Sequence, residues 1–102
     1  MNEHVSTRLD KVLTQKARLG IMSILMVLHE TDFHTLKDKL DLTDGNLSTH
    51  LSLLEKENYV RQRKLFVKKK PKTLCQITDQ GRRAFRDYMN TLEKIIKEIP
   101  RK

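Results

Sequence analysis

A chain of 102 residues has the length of a single domain. Its 21 basic residues outnumber 13 acids, for a net charge of +8, and no apolar run approaches the roughly 18 residues that a membrane span needs. The single cysteine, Cys75, excludes an internal disulfide and a cysteine-based zinc cluster. The opening Met1-Asn2-Glu3-His4 lacks the charged lead and apolar segment of a signal peptide, so a cytoplasmic protein is expected.

Val5, Leu9, Val12 and Leu13 recur at helical spacing, with Ser6 as an N-cap candidate. Ala17, Ile21, Ile24, Leu25 and Leu28 form a second stripe, and Gly20 marks a weak point at which one helix could bend or divide. Residues 31–33 read as a short extended piece. Leu36 and Leu40 place a two-turn helix next, and Asp41-Leu42-Thr43 is its turn. A helix over Asp44 to about Lys56 follows, capped by Thr43, with Asp44 at the positive end of the helix dipole. Leu47, Leu51 and Leu54 share one face of it. Gly45, Thr49, Ser52 and Lys56 fall opposite, flanked by Asn46 and Ser48. Asn58 suits a left-handed helix end. Residues 59–66 and 73–78 read as two strands joined by residues 68–72. Thr78 then caps a long helix with the stripe Phe85, Tyr88, Leu92, Ile95, Ile96 and Ile99, ended by Pro100.

The charge is not spread evenly. Arg61, Arg63, Lys64, Lys68, Lys69, Lys70 and Lys72 occur in residues 61–72 with no acid among them, and they supply seven of the eight net charges. Such a concentrated basic element is the footprint of a polyanion binder. It directly follows a helix with a slim polar face. A short helix, a tight turn and a second such helix make a helix-turn-helix over residues 34–57. The major groove admits an α-helix, and a glycine with small polar neighbours keeps its leading side narrow. Asn46 can bond adenine at two points, while the hydroxyls of Ser48, Thr49 and Ser52 suit base edges or phosphate. Asp44 and Gly45 open the helix, whose N-terminal amides suit a phosphate. The basic hairpin, residues 59–78, is placed to neutralise the backbone or reach the minor groove. The fold class expected is mainly α with a small β-hairpin wing, a winged helix-turn-helix in one domain over residues 1–102.

Three segments carry a specific resemblance: Leu42-Thr43-Asp44-Gly45-Asn46-Leu47-Ser48-Thr49-His50-Leu51 with Leu54-Glu55-Lys56, then Lys69-Lys70-Pro71-Lys72-Thr73, then Ile77-Thr78-Asp79-Gln80-Gly81-Arg82. Over roughly residues 9–98 the chain resembles winged-helix transcriptional regulators of the MarR/ArsR-like type, and most nearly the small prokaryotic branch without an effector domain. Lys16 where relatives often have proline, Asn58 for a common glycine and Cys75 for a frequent aromatic depart from the pattern, all outside the recognition helix. The resemblance implies a homodimer that binds double-stranded DNA. A 20-residue helix is about 30 Å long, so Leu92, Ile95, Ile96 and Ile99 should project past a small core. Pairing them with Val5, Leu9, Val12 and Leu13 of a second copy gives a two-fold interface over the helix of residues 79–99. Two subunits then meet an inverted repeat with half-sites about one helical turn apart.

Other readings carry less. His50 borders the apolar stripe and is expected to pack or cap locally, with a phosphate contact as the alternative. His29, Asp32 and His34 do not share a helical face as a zinc site requires, and no metal or cofactor is expected. No phosphate loop or nucleophile motif points to an enzyme. Cys75 could be a redox sensor if its basic neighbours favoured thiolate, although a lone strand cysteine is more often core. The rival function is a winged-helix module for protein interaction or RNA. The polar recognition face counts against the first, and the few aromatics at core-like positions count against the second. A small-molecule effector would have only the dimer seam to occupy.

Overall fold

A computed structural model describes residues 8–101, so Val5 and Ser6 lie outside the described residues. In order, the chain forms α1 (Lys11–Thr14), α2 (Lys16–Leu28), β1 (Glu30–Asp32), α3 (Phe33–Leu40), α4 (Asp44–Lys56), β2 (Val60–Val67), β3 (Lys70–Ile77) and α5 (Asp79–Glu98). The sheet is antiparallel, in the order β1-β3-β2.

The first stripe is not one continuous helix. Asp10 is non-helical, and its carboxylate Oδ1 accepts from Val12 N at 2.8 Å, starting α1 afresh. The division expected at Gly20 falls instead at Gln15, whose extended backbone ends α1 and whose side chain caps α2. α2 runs straight through Gly20. A Cβ there would lie 2.8 Å from Leu40 Cδ2, so the glycine serves close packing of α3 on α2 and not a bend.

Asp32 belongs to β1 and caps α3, so the extended piece ends one residue earlier than expected and Phe33 begins the helix. Asp41 takes the left-handed turn position at φ 51°. Thr43 Oγ1 accepts from Asn46 N at 3.1 Å and starts α4, which buries Leu47, Leu51 and Leu54. These leucines join Leu13, Ile21, Met22, Leu25, Leu36, Val60, Cys75 and Ile77 in one core. Each such side chain contributes roughly 1.5–3 kcal/mol by leaving water, which is why α4 holds its polar face outward.

The hairpin is tighter than expected. β2 reaches Val67 and β3 starts at Lys70, leaving only Lys68 and Lys69 as the turn, both at positive φ (53° and 65°). Two left-handed residues are what a two-residue turn needs to match strand twist. Pro71 therefore sits inside β3, opposite Phe66. It is tolerated because β1 ends opposite Leu74, so the edge of β3 beside Pro71 is free and no ladder bond is lost.

The wing base is tied to α5. Thr78 N donates to Tyr59 O (3.0 Å), and Thr78 Oγ1 donates to Asn58 O (2.6 Å) while accepting from Gly81 N (2.9 Å). A Cβ at Gly81 would fall 2.2 Å from Tyr59 O, so only glycine fits this crossing. α5 ends before Pro100, with Ile99 extended as a residue preceding proline must be.

Candidate nucleic-acid interface

The outward face of α4 is open. Gly45, Asn46, Ser48, Thr49 and Ser52 are all exposed. A Cβ on Gly45 would meet nothing within 4 Å, so its own fold does not require glycine there. A helix pays roughly 1 kcal/mol for glycine over alanine, and the bare backbone leaves room for a close external partner. The side chains of Asn46, Ser48 and Ser52 make no hydrogen bond among the described residues, whereas Thr49 donates its hydroxyl proton to Gly45 O at 2.9 Å. Thr49 thus presents a methyl group and an acceptor. Asp44 Oδ1 is held by Lys37 Nζ at 2.9 Å, an exposed pair that fastens α4 to α3. The same contact raises the Lys37 ammonium above its ordinary pKa through the hydrogen bond and charge of Asp44.

Between α4 and the wing lies an open cleft of about 610 Å³, whose walls include Phe33, Ser48, Gln62, Lys64, Pro71 and Thr73. Strand alternation accounts for part of its make-up, although Val67, Lys70 and Lys72 of the opposite face also border it and Phe66 does not. Val60, Gln62, Lys64 and Phe66 share one face of β2, and Val60 at the core end of this row is buried. Arg61 and Arg63 fall on the other face. Neither lines the cleft, and Arg63 Nη2 lies 3.8 Å from Glu30 Oε2. Lys68 and Lys69 occupy the hairpin apex, and Lys70 follows at the cleft margin. Lys72 Nζ also borders the cleft but lies 3.2 Å from Asp32 Oδ2. The structure therefore gathers Ser48, Lys64, Lys70 and Lys72 about one hollow, and the apex lysines precede Lys70 in the turn. Arg61 and Arg63 stay outside.

Several positioning residues escaped the sequence reading. Glu55, in the last turn of α4, accepts from Gln62 N (3.0 Å) and Gln62 Nε2 (3.2 Å), fixing the wing against the recognition helix. Glu55 shares a helical face with Asp44, and nothing in the spacing of α4 marked it as a partner of the wing. Asp32 accepts from Thr35 N at 2.7 Å as it pairs with Lys72. Hydrogen bonds from Thr35, then the Lys72 contact, hold its carboxyl below the usual range. Arg18 donates to Val12 O at 2.7 Å and to His50 Nδ1 at 3.2 Å. A guanidinium only donates, so neutral His50 carries its proton on Nε2. Burial, then the Arg18 charge, lowers the His50 pKa below 6.5. His50 packs locally, as expected.

Cys75 lies in the core, and burial, with Asp32 and Glu55 nearby, pushes its thiol up to about 12. The basic neighbours that would favour thiolate do not govern it, which corrects the premise of the sensor idea. His29 faces Arg82 and Gln76, Asp32 faces Thr35 and Lys72, and His34 pairs with Asp38. Among the described residues no three metal-binding side chains converge. No described helix is long and apolar enough to cross a membrane.

The expected dimer residues divide. Leu13 is fully enclosed and Ile95 is 6% exposed within one chain, so neither has surface to offer a second copy. Leu9, Val12 and Leu92 are half-buried, Leu9 and Val12 against their own core. Ile96 and Ile99 are exposed, and Met89, absent from the expected set, is exposed beside them.

Comparison with known proteins agrees with this architecture. The chain is 38% identical over 89 residues to an uncharacterised protein of Methanocaldococcus jannaschii, covering 87% of this chain and 97% of that one. A solved transcriptional regulator homologue from Pyrococcus horikoshii OT3 superposes with a TM-score of 0.79 at 32% identity, over 84% of this chain and 85% of that one. The PcaV transcriptional regulator from Streptomyces coelicolor shares the fold at a TM-score of 0.74 and 15% identity, over 89% of this chain and 65% of that one. Residues 17–96 match the winged helix DNA-binding domain family. With the helix-turn-helix α3–α4 and the β2–β3 wing inside that span, the chain belongs to the winged helix DNA-binding domain family.

Proposed function

We propose that the protein is a transcriptional regulator that binds double-stranded DNA sequence-specifically as a homodimer. The observation that carries this is the shared cleft: Ser48 on the polar face of α4 borders the same hollow as Lys64 and Lys70, and Lys70 adjoins the Lys68-Lys69 apex in the chain. α4 enters the major groove. Asn46, Ser48 and Ser52 read base edges, Thr49 offers its methyl group to thymine, and Gly45 admits close approach. The wing lysines neutralise phosphates beside the groove. Asp44, paired with Lys37, sets the angle of α4 and does not contact the anion. Arg61, Arg63 and Lys72 act as a reserve of charge, two of them already matched by acids. The exposed Met89, Ile96 and Ile99 support pairing of two copies along α5.

The test is fluorescence anisotropy on a duplex obtained by in vitro selection and on random duplex, across a salt series. Wild-type protein should prefer the selected duplex and bind more weakly as salt rises. Replacing Lys68, Lys69 and Lys70 with alanine should weaken both duplexes alike and flatten the salt slope by up to about three units per wing. An unchanged slope removes the wing from the interface. Protein that ignores duplex even in dilute buffer removes the function.

A further inference from the structure

The wing carries a feature that cation–phosphate contact does not explain. Phe66 is 76% exposed, and its neighbour Val67 is 42% exposed. The two sit between Lys64 and the Lys68-Lys69 apex, on the most basic part of the chain. A large aromatic here adds nothing to the core and nothing to phosphate neutralisation.

Its placement is specific. Phe66 lies directly across from Pro71, and the Val67–Lys70 pair closes the two-residue turn. Pairs alternate along an antiparallel ladder, so Phe66–Pro71 is of the non-hydrogen-bonded kind, whose side chains stand closer together. A planar ring beside a pyrrolidine makes one apolar pad. Phe66 shares its strand face with Gln62 and Lys64, which line the cleft together with Pro71 and Ser48. Pro71 and Val67 line the cleft and Phe66 does not, so the pad adjoins the cleft that Ser48 of α4 borders, with the ring on its outer side.

We infer that Phe66 and Pro71 form an apolar wedge that enters the minor groove flanking the recognition helix and opens it. The inference rests on the duplex-binding function proposed above and specifies how the wing engages it. Charge commits the occupant: Lys64, Lys68, Lys69 and Lys70 form no ion pair among the described residues, so the pad is framed by cations that seek phosphate. Between the two phosphate rows of a minor groove lie sugar C–H groups and base edges, a surface an aromatic can cover. Size supplies the distortion. Paired strands stand about 4.8 Å apart before side chains are added, and an undistorted minor groove is about 6 Å wide. The tip enters only by widening the groove. Apolar wedges of this kind partly unstack base steps and bend the duplex. Flexible pyrimidine–purine steps yield most readily, so the wedge selects them at positions the protein never hydrogen-bonds.

The experiment uses the full chain and its selected duplex carrying a donor–acceptor dye pair at its ends. Wild type, Phe66→Ala, Phe66→Leu and the double variant Lys68→Ala/Lys69→Ala are compared for affinity, salt slope and end-to-end energy transfer. Matching thermal melts of the free proteins establish that each variant is folded, as expected for exposed positions. Phe66→Ala should bind roughly tenfold more weakly, keep the wild-type salt slope and lose the bend. Phe66→Leu should recover part of both. The lysine double variant should flatten the slope by about two units per wing and retain the preference for a pyrimidine–purine flank. If wild type binds duplex and Phe66→Ala equals it in affinity and bend, the wedge is wrong while the function stands. If wild type binds no duplex, the function itself fails and the wedge with it. A separate arm uses vesicles of phosphatidylserine and phosphatidylcholine. Vesicle binding that is lost in Phe66→Ala, with duplex binding and bending unchanged, overturns the wedge in favour of a lipid surface.

Discussion

Asp32 shows how much one side chain settles in this protein. It sits in β1 opposite Leu74, caps α3 through Thr35 N, and holds Lys72 on the wing. One carboxylate thus joins the sheet, the helix-turn-helix and the basic hairpin. Its pKa is depressed from 3.8 by the Thr35 hydrogen bonds and Lys72. A group depressed in the folded state binds protons more readily when unfolded. Its stabilisation is therefore complete above the unfolded value near 3.8 and disappears as pH falls through the folded value. Asp32→Ala should lower stability by about 1 kcal/mol at neutral pH through loss of the cap. Below about pH 4 the gap between variant and wild type should close. Urea melts across this range check both parts, and a gap constant with pH would show that the carboxylate's charge plays no role. The outward position of Asn46, Ser48 and Ser52 was readable from their spacing against the leucine stripe. Thr49 was not fully readable: its bond to Gly45 O depends on a rotamer that composition does not reveal.

At the scale of elements, the joint between α4 and β2 decides whether the recognition helix and wing act as one surface. Glu55 clamps it through both the backbone and side chain of Gln62. Glu55→Ala should cost about 1 kcal/mol or less of stability, since the bonds are exposed. It should weaken duplex binding several-fold all the same, because a loosened wing must be ordered on binding. Hydrogen exchange along β2 together with anisotropy separates the two effects. Equal exchange and equal affinity would mean the β2–β3 ladder alone orients the wing. The span of α4 was legible from its cap, its leucine stripe and Asn58, which takes the left-handed angle of 63°. The hairpin was not. A lysine pair carries no turn signature of the Asn-Gly kind, and a proline is ordinarily a reason to place a connection, so the wing was expected to be shorter and its loop longer.

The whole molecule is elongated, 60 × 25 × 22 Å, with a radius of gyration of 15.8 Å, against about 13 Å for a compact chain of this length. Length at constant mass leaves apolar surface uncovered, and Met89, Ile96 and Ile99 are that surface along α5. Replacing Ile96 and Ile99 together with lysine should convert a dimer to a folded monomer. The monomer should bind a two-half-site duplex at least tenfold more weakly, through loss of the linked second site. Sedimentation velocity with a duplex titration checks this, and a wild type that sediments as a monomer at micromolar concentration would remove the two-fold arrangement.

Local chemistry determined most elements of this protein before any tertiary contact is considered. Periodic leucines, Thr43 and Thr78 as caps, Pro100 as a stop and a run of unopposed cations are effects that act within a few residues, so spacing alone reveals them. Tertiary structure decided which cations face the recognition helix, which are matched by Glu30 and Asp32, that Leu13 and Ile95 are spent on their own chain, and that Phe66 is left bare beside the cleft. Those outcomes depend on strand register and on the crossing of α2, α4 and α5. A one-residue slip in register would exchange the two faces of the wing, and no feature within the hairpin's own residues specifies that choice without the core they pack against.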